Sequence, residues 1–433
     1  MGFLYNHISI FKGSWKSPRE LDGRSVNYIS SFFEDYQDLG DPFELAQNSS
    51  QMFQGSIFLG DGFLLSYEDR DVLVRADTKN DDVIFPVING REVNGDPFQR
   101  PGRCIINFFD WPKETAQKYI EPFNIVKNKV KPVRDKVKRK SNRENWWNYA
   151  EHRPGLYNKL KNSQFCFLVA RTTKHLNFSK SPIDRVFTDA LFVYVNDKFS
   201  KFLILQSSIH NEWARKYSGA LKLDLRYSPS NCFVTFPFPK NLSDEMENEL
   251  ERSGKRYHEF RQSLMVKTRL GLTKIYNQLH NSELNALSIE EILAIQTPKL
   301  KELKKQYGNE TANLYKHLDK TEDACTLEEA VRGIIELRKF HKKVDETVRK
   351  AYGWGDINLA HDFYEVDYLP ENDRVRFTIS PEARKEVLKC LLKLNHQIHE
   401  QEKKGRISTN RKANKKKTKI KKRTDTPEQR SLF

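Results

Sequence analysis

The sequence predicts an α+β protein: a mixed α/β domain, then a mostly helical C-terminal domain, then a disordered basic tail. Three observations predict this class. Short β-type runs separated by Gly, Pro, Asn and Asp fill residues 53–239. Helix-capping signals, followed by apolar residues at helical spacing, begin at residue 243. Residues 401–433 are lysine-rich and nearly free of apolar side chains, which is typical of a segment that cannot form a core.

The elements can be justified in chain order. Residues 1–47 contain a short strand-like stretch and an amphipathic helix over 26–33, which is too little for a domain. Within the β-rich region, helices are expected over roughly 112–121 and 143–161. The β-type runs are Ile57–Leu59, Val72–Arg75, Val83–Pro86, Ile105–Phe108, Phe165–Ala170, Ala190–Val195, Phe202–Gln206 and Cys232–Phe236.

Helical signals follow two prolines between residues 237 and 239, which end a strand and disfavour an immediate helix. Ser243 precedes three acidic residues, a combination that suits a helix N-terminus. Capping-box patterns recur at Ser288-x-x-Glu291 and Thr326-x-x-Glu329. We therefore predict domains over 48–240 and 241–402 and a disordered tail over 403–433.

The positive charge of the chain is concentrated in two segments. The 433 residues carry a formal net charge of +16. Residues 401–433 hold 13 Lys/Arg against 3 Asp/Glu, and residues 127–143 hold 9 against 1, so the rest of the chain has a net charge of −2. Basic segments of this kind bind nucleic-acid phosphates in a salt-dependent way. For the tail, a solvated solubility segment is an equally good interpretation. For residues 127–143, nucleic-acid binding is favoured because the segment lies inside the chain.

Several functional classes are disfavoured by what the sequence lacks. No apolar run approaches the ~20 residues that a membrane span needs, and no secretory signal begins the chain, so we expect a soluble cytoplasmic protein without a membrane partner. The five cysteines form no C-x-x-C pair. We predict no catalytic, cofactor-binding or metal-binding residues. Gly60-Asp61-Gly62 is the nearest approach to a glycine-rich cofactor loop, and a tight turn is the better interpretation.

A series of ordered motifs resembles a known family. The motifs are Phe53–Ser56, Gly60–Phe63, Asp82–Gly90, Ile105–Phe108, Val130–Arg134, Trp146-Trp147, Arg153-Pro154, Gln206–Trp213, Asp224–Ser228, Thr235–Pro239, Tyr352–Trp354 and Leu391–Asn395. Across nearly 190 residues they resemble the target recognition domain of MmeI-like adenine-specific DNA methyltransferases, which belong to type II restriction–modification and related phage-defence systems. The end of the helical region also resembles the C-terminal segment of such enzymes.

The resemblance implies a protein that reads a site on double-stranded DNA. Family members place a methyltransferase domain before this region, and that domain binds S-adenosyl-L-methionine and carries an N-P-P-[YF] loop. This sequence contains no Pro-Pro dipeptide, and residues 1–47 are similar to the end of such a domain or a linker. We therefore expect a recognition part that works with a separate methyltransferase subunit or split half, which binds the cofactor. Whether the chain is itself an enzyme stays open. The alternatives are a non-specific nucleic-acid-binding protein and a diverged, self-contained DNA-modifying enzyme.

Two kinds of DNA contact are expected, phosphate contacts that set the register and base contacts that read the sequence. The predicted phosphate-contacting residues are Lys129, Lys131, Arg134, Lys138 and Arg171.

For base readout, Lys222, Asp224 and Arg226 alternate along one predicted strand, with Leu221, Leu223 and Leu225 on its other face. Arginine suits guanine, and a carboxylate accepts a hydrogen bond from cytosine. In the family, side chains at matching positions help decide the base that is read. The alternative is a polar strand face that meets only water.

Lys174 and His175 are predicted to lie on a loop, and we include them among the residues that read bases. For His175, a structural role inside the protein is nearly as good an interpretation. For Trp146 and Trp147 we favour core packing over base stacking.

Overall fold

The computed structural model describes residues 18–21, 23–29, 40–221, 223–285 and 300–423. Contacts divide the chain into two units, residues 1–43 and 44–433. In the first unit, strands β1 (Arg19–Leu21) and β2 (Arg24–Val26) form an antiparallel hairpin. Nη1 of Arg19 donates a hydrogen bond to the carbonyl of Asn27 at 2.9 Å.

The second unit has the α+β class that the sequence predicts, with several small sheets and many helices. Its strands are β3 (Met52–Gln54), β4 (Leu64–Leu65), β5 (Ile84–Ile88), β6 (Arg103–Ile106), β7 (Cys166–Ala170), β8 (Thr172–Thr173), β9 (Phe178–Ser181), β10 (Val186–Phe187), β11 (Leu191–Tyr194), β12 (Gly219–Leu221), β13 (Asp224–Arg226), β14 (Asp362–Glu365) and β15 (Val375–Thr378).

The helices become longer after residue 243. They are α1 (Tyr67–Ala76), α2 (Gly90–Gly95), α3 (Lys113–Ala116), α4 (Ile120–Lys129), α5 (Lys131–Arg134), α6 (Lys140–Glu144), α7 (Pro154–Leu160), α8 (Phe199–Gln206), α9 (Ser208–Tyr217), α10 (Asp244–Thr268), α11 (Leu272–Leu279), α12 (Leu300–Asp319, interrupted at Gly308), α13 (Leu327–Ala351) and α14 (Pro381–Arg423).

Two four-stranded sheets organise the first part of this unit. One has the order β10-β5-β6-β4, with β10 parallel to β5 and the other pairs antiparallel. The other is antiparallel, with the order β3-β11-β7-β9. A parallel bridge between Ser56 and Thr188 links the segments that leave β3 and β10. Gly55 is required beside it, because a Cβ at residue 55 would lie 2.2 Å from the carbonyl oxygen of Thr188.

The helical part packs directly against the second sheet and its helices. α10 contacts both α8 and α13, and its buried Arg261 donates to Oε1 of Gln206 at 3.0 Å and to the carbonyl of Phe178. The predicted helix starts are confirmed at Ser243, which caps α10, and at Thr326, which forms a capping box with Glu329. Ser288 and Glu291 lie outside the described residues. Among the described residues, no helix is both long and apolar enough to cross a bilayer.

The last helix closes onto the beginning of the second unit. The carboxylate of Glu402 accepts hydrogen bonds from the backbone amides of Ala46 at 2.8 Å and Gln47 at 3.2 Å. Nδ2 of Asn395 donates to the carbonyl of Thr235 at 2.6 Å. α14 extends to Arg423, so helix enters the segment 403–433 for which the sequence predicts disorder. Lysine and arginine are good helix formers, which is consistent with helix in this lysine-rich stretch.

Two predicted strands are helical, a third overlaps a helical turn, and a fourth, Ile57–Leu59, forms only one isolated bridge, between Ile57 and Glu151. Val72–Arg75 lies in α1, which begins with a capping box between Ser66 and Asp69 that the sequence analysis missed. Phe202–Gln206 lies in α8, because a short apolar run does not distinguish a buried strand from a buried helix. Cys232–Phe236 overlaps the π-helical turn Pro229–Phe233.

The predicted helix over 143–161 is also wrong. α6 ends at Glu144, and α7 begins at Pro154. Arg153 has a left-handed backbone (φ 56°), which ends any helix that approaches from its N-terminal side. The proline at the first helical position disfavours α conformation in the residue before it, so the sequence carried a signal for this break.

Candidate nucleic-acid interface

The basic segment 127–143 contains α5, α6 and the end of α4, and its cations have two different environments. Lys127, Lys129, Lys136 and Lys138 are exposed and have no ion-pair partner among the described residues. Lys131 instead forms an ion pair with Asp135 at 2.7 Å while staying 42% exposed. Further ion pairs join Arg139 to Glu151 at 3.0 Å and Lys140 to Glu144 at 3.6 Å. The unpaired lysines therefore carry most of the charge that this segment offers to an anion.

Arg134 does not belong to this exposed set. Its side chain is fully buried. Nε donates to the carbonyl of Leu59 at 2.9 Å, and Nη2 donates to that of Phe58 at 2.6 Å. Longer bonds reach the carbonyls of Asn142 and Asn148. Burial lowers the pKa of Arg134. The predicted phosphate contact is therefore wrong for this residue, because the guanidinium holds loops together inside the protein.

The predicted readout strand over 221–226 is a hairpin. β12 pairs antiparallel with β13, Leu221 lies opposite Asp224, and Leu223 lies in the turn before β13. Lys222 lies outside the described residues. Leu221 and Leu223 are 52% and 55% exposed, and the prediction that they share one face of a single strand with Leu225 is wrong. Lys222-Leu223 contains none of the residues that favour tight turns, so the sequence carries no turn signal here.

The alternation predicted for this segment holds only within β13. Leu225 is buried, whereas Asp224 is half-buried and Arg226 is exposed. β13 also pairs with β8, where Arg226 lies opposite Thr172. The resulting sheet, β12-β13-β8, holds Asp224 and Arg226 at fixed backbone positions beside the exposed leucines of the turn.

An open cleft of about 580 Å³ adjoins this small sheet. Its lining includes Gln54 of β3, Phe192 of β11, Arg171 and Arg226. Nη1 of Arg171 lies 3.5 Å from Oδ2 of Asp189, and the Arg171 side chain is 36% exposed. Two of the predicted contact residues, on segments far apart in the sequence, therefore meet at one cleft.

Lys174 and His175 are not brought to this cleft. Nζ of Lys174 forms an ion pair with Asp373 at 3.0 Å. His175 is 6% exposed and its Nε2 is 2.9 Å from Oδ1 of Asn277, so its predicted base contact is wrong. Burial, more than the nearby cations, lowers the pKa of His175 to about 3, and the ring is neutral.

Trp146 and Trp147 pack in the core, as predicted. They are 5% and 8% exposed. Nε1 of Trp147 donates to the carbonyl of Trp111 at 3.0 Å. The ring of Trp146 packs against Phe123, with centroids 5.2 Å apart. Both tryptophans therefore support the platform under the basic segment and are not available for stacking on a base.

The Gly60-Asp61-Gly62 segment is a tight turn, also as predicted. Gly60 has a φ of 124°, and residues 61–63 form one 3₁₀ turn. A Cβ on Gly62 would lie 2.6 Å from Cβ of Lys129, so the turn is packed against the end of α4.

The β12–β13 hairpin therefore lies beside a cleft that contains two arginines. Residues 44–240 match the family model described as MmeI, target recognition domain. The resemblance predicted from the sequence is confirmed by this match.

Known proteins that are similar to the chain include a DNA methyltransferase and a restriction-modification enzyme. DNA methyltransferase A of Bacillus subtilis (strain 168) is 34% identical over 70 residues, 16% of this chain and 8% of that protein. The solved structure of the Type IIL restriction-modification enzyme MmeI, described as in complex with DNA, has the same fold with a TM-score of 0.54 and 14% identity. The match covers 87% of this chain and 39% of that one, so the chain spans well under half the length of either relative.

Proposed function

We propose that this protein is the DNA-sequence-recognition part of a site-specific adenine-N6 methyltransferase in a restriction–modification or phage-defence system. The observation that carries the proposal is the match of residues 44–240 to an MmeI target recognition domain. The similarity to a DNA methyltransferase and to a restriction-modification enzyme in complex with DNA supports double-stranded DNA as the partner.

The catalytic step belongs, in this proposal, to a separate methyltransferase domain that binds S-adenosyl-L-methionine. We assign that cofactor to no described residue of this chain: the Gly60–Gly62 turn is packed against Lys129 at Gly62, and the N-P-P-[YF] loop of family members has no counterpart in a sequence without a Pro-Pro dipeptide. We therefore assign this chain binding and positioning of DNA, and no step of methyl transfer.

Phosphate contacts come from the exposed lysines of the basic segment. Lys129 and Lys138 are exposed, and Lys131 keeps part of its side chain in solvent beside Asp135. Each lysine that neutralises a phosphate releases condensed counterion, so the logarithm of the affinity falls with the logarithm of salt concentration by about 0.9 per contact. Arg171, at the cleft, adds a further cation whose pairing with Asp189 is loose enough to exchange for a phosphate.

Base readout comes from the β12–β13 hairpin. Arg226 offers the two parallel donors that match guanine, and Asp224 offers an acceptor for cytosine. Leu221 ends β12, Leu223 lies in the turn before β13, and both side chains are exposed, so this end of the hairpin can enter a groove. Leu221 and Leu223 make apolar contacts with base edges. Binding removes their exposed apolar surface from water, which is favourable.

The test is a selection of bound duplexes from a random pool by the full chain, followed by affinity measurements on the selected site. Charge reversal of Arg226 (R226E) should cost about 1–3 kcal/mol on that site and relax the preference at one base position. Lys339→Glu is the matched control, because Lys339 is an exposed cation on α13, 69% exposed. Equal binding of selected and random duplexes by the unmodified chain would contradict the proposal.

The lysine-rich end of the chain favours one competing function, non-specific nucleic-acid binding. A deletion of residues 411–433 separates the two, because it removes most of that charge and keeps Glu402, which binds the backbone of Ala46 and Gln47. Loss of all DNA binding would support the non-specific function. Weaker binding with an unchanged site preference supports sequence recognition.

A further inference from the structure

A small polar cavity lies between the recognition segment and the helices that follow it. Its volume is about 60 Å³, enough for a few water molecules or one compact ion. Residues from distant parts of the chain line it, among them His175, Arg215 of α9, His280 after α11, His341 of α13 and Arg376 of β15. No carboxylate is among its lining residues in the described part of the chain.

Two guanidinium groups at this cavity have incomplete hydrogen bonding. Nη1 of Arg376 donates to Oδ1 of Asp373 at 3.1 Å and to the carbonyl of Val375 at 2.7 Å. Its Nη2 is buried and has no acceptor among the described residues, and Arg376 as a whole is 6% exposed. Arg215 donates from Nη2 to the carbonyl of Lys174 at 2.8 Å, while its buried Nε also has no acceptor there. A buried N–H of a charged group that lacks an acceptor is costly, so such groups mark the place of a missing partner.

The histidines around the cavity supply one hydrogen-bond donor and are themselves uncharged. Nδ1 of His280 accepts a hydrogen bond from the backbone amide of Phe377 at 3.1 Å, so a neutral ring carries its proton on Nε2. Burial and the neighbouring His175 and Arg376 lower the pKa of His280 well below its usual range. Burial lowers the pKa of His341 to about 4. Among the described residues, no group of three or more metal-ligating side chains is placed to hold a cation, so these histidines do not form a metal site.

We propose that this cavity binds one small oxyanion, inorganic phosphate or sulfate, which accepts hydrogen bonds from Arg215 and Arg376 and from the protonated nitrogen of His280. The site is separate from the proposed DNA contacts, because Arg376 is buried, Arg215 is half-buried, and they lie on β15 and α9 instead of the basic segment. The bound ion would join the recognition segment to the helical part through charge-assisted hydrogen bonds.

Thermal unfolding of the full chain tests the site, with chloride replaced by phosphate or sulfate at constant ionic strength. Both anions also stabilise proteins non-specifically by exclusion from the surface, and that effect grows without saturation. We expect a saturable rise of Tm in the unmodified chain and in the control Lys339→Gln. The double variant Arg215→Gln/Arg376→Gln should lose the saturable component and keep only the non-specific one.

Calorimetric titration of the unmodified chain with phosphate gives a second measurement that does not depend on any variant folding well. One phosphate bound per chain supports the proposal. The absence of binding heat, or a saturable Tm rise that is equal in the double variant, would mean that the cavity holds water only and would overturn it. Deoxyadenosine monophosphate serves as a further probe. Binding of the nucleotide without binding of inorganic phosphate would also overturn the assignment to a free oxyanion.

Discussion

Replacing Arg134 tests whether this buried cation stabilises the fold, unlike the neighbouring lysines that we propose bind DNA. In Arg134→Ala, the carbonyl oxygens of Phe58 and Leu59 lose short bonds from the guanidinium, and those of Asn142 and Asn148 lose longer ones. Hydrogen bonds to a charged group contribute about 1.5–3 kcal/mol each, but desolvation of the buried cation offsets a large part of this sum. We therefore expect the free energy of unfolding to fall by about 3–5 kcal/mol, the range seen when one partner of a buried charged network is removed.

The assay is equilibrium denaturation in urea, combined with DNA affinity measured at several salt concentrations. Arg134→Lys should lose less stability than Arg134→Ala, because an ammonium keeps the charge but cannot reach all the carbonyls. The comparison variant Lys138→Ala should change stability by less than about 0.5 kcal/mol and reduce the salt slope by about 0.9. If Arg134→Ala unfolds like the unmodified chain and lowers the salt slope, then Arg134 contacts phosphate and the structural argument is refuted.

Three further predictions concern the hairpin, the buried histidines and the junction of the sheets. Leu223→Ala should weaken binding to the selected duplex by several-fold. The Tm should not change, because the side chain is 55% exposed and contributes little to the core. Unchanged affinity in a fluorescence titration would show that the turn stays outside the groove. Burial lowers the pKa values of His175 and His210 to about 3, so the unfolded chain binds more protons between pH 6.5 and 3, and this part of the stability is complete above pH 6.5 and lost as the pH falls. Urea titrations at pH 7.5 and 5 measure that loss, and equal midpoints would contradict it. Gly55→Ala should reduce the yield of folded protein, because the new Cβ would overlap the carbonyl oxygen of Thr188, whereas Gly95→Ala, which meets nothing within 4 Å, should be tolerated.

The features that the sequence predicted correctly depend on local signals or on long ordered motifs. Ser243 and Thr326 begin helices because a hydroxyl followed by acidic residues can satisfy the free amides of a first turn. The resemblance across residues 53–239 identified the recognition domain because it used many positions at once. The alternation around Leu225 was visible for the same local reason, since β13 is buried on one side.

The errors concern properties that depend on tertiary contacts. Arg134 and Lys138 are both cations in one basic segment, and only the carbonyls that surround Arg134 make it a buried residue. Residues 222–223 include no glycine, asparagine or proline, so the sequence over 221–226 predicts one strand where the structure has a hairpin. His175 follows a buried strand, as expected, but the later helix α11 covers it with Asn277, about a hundred residues further along the chain.

The bond between Glu402 and the amides of Ala46 and Gln47 has a consequence for the exchange of recognition segments between relatives. If residues 44–240 are grafted into a relative, the amides of Ala46 and Gln47 move with the graft, but Glu402, which accepts their hydrogen bonds, does not. The last helix of the recipient then has to supply the acceptor. Asn395, which holds the carbonyl of Thr235 near the other end of the graft, raises the same requirement. Chimeras that transplant both ends of the recognition segment together with the facing turns of α14 should therefore fold better than chimeras cut at the segment's sequence boundaries alone.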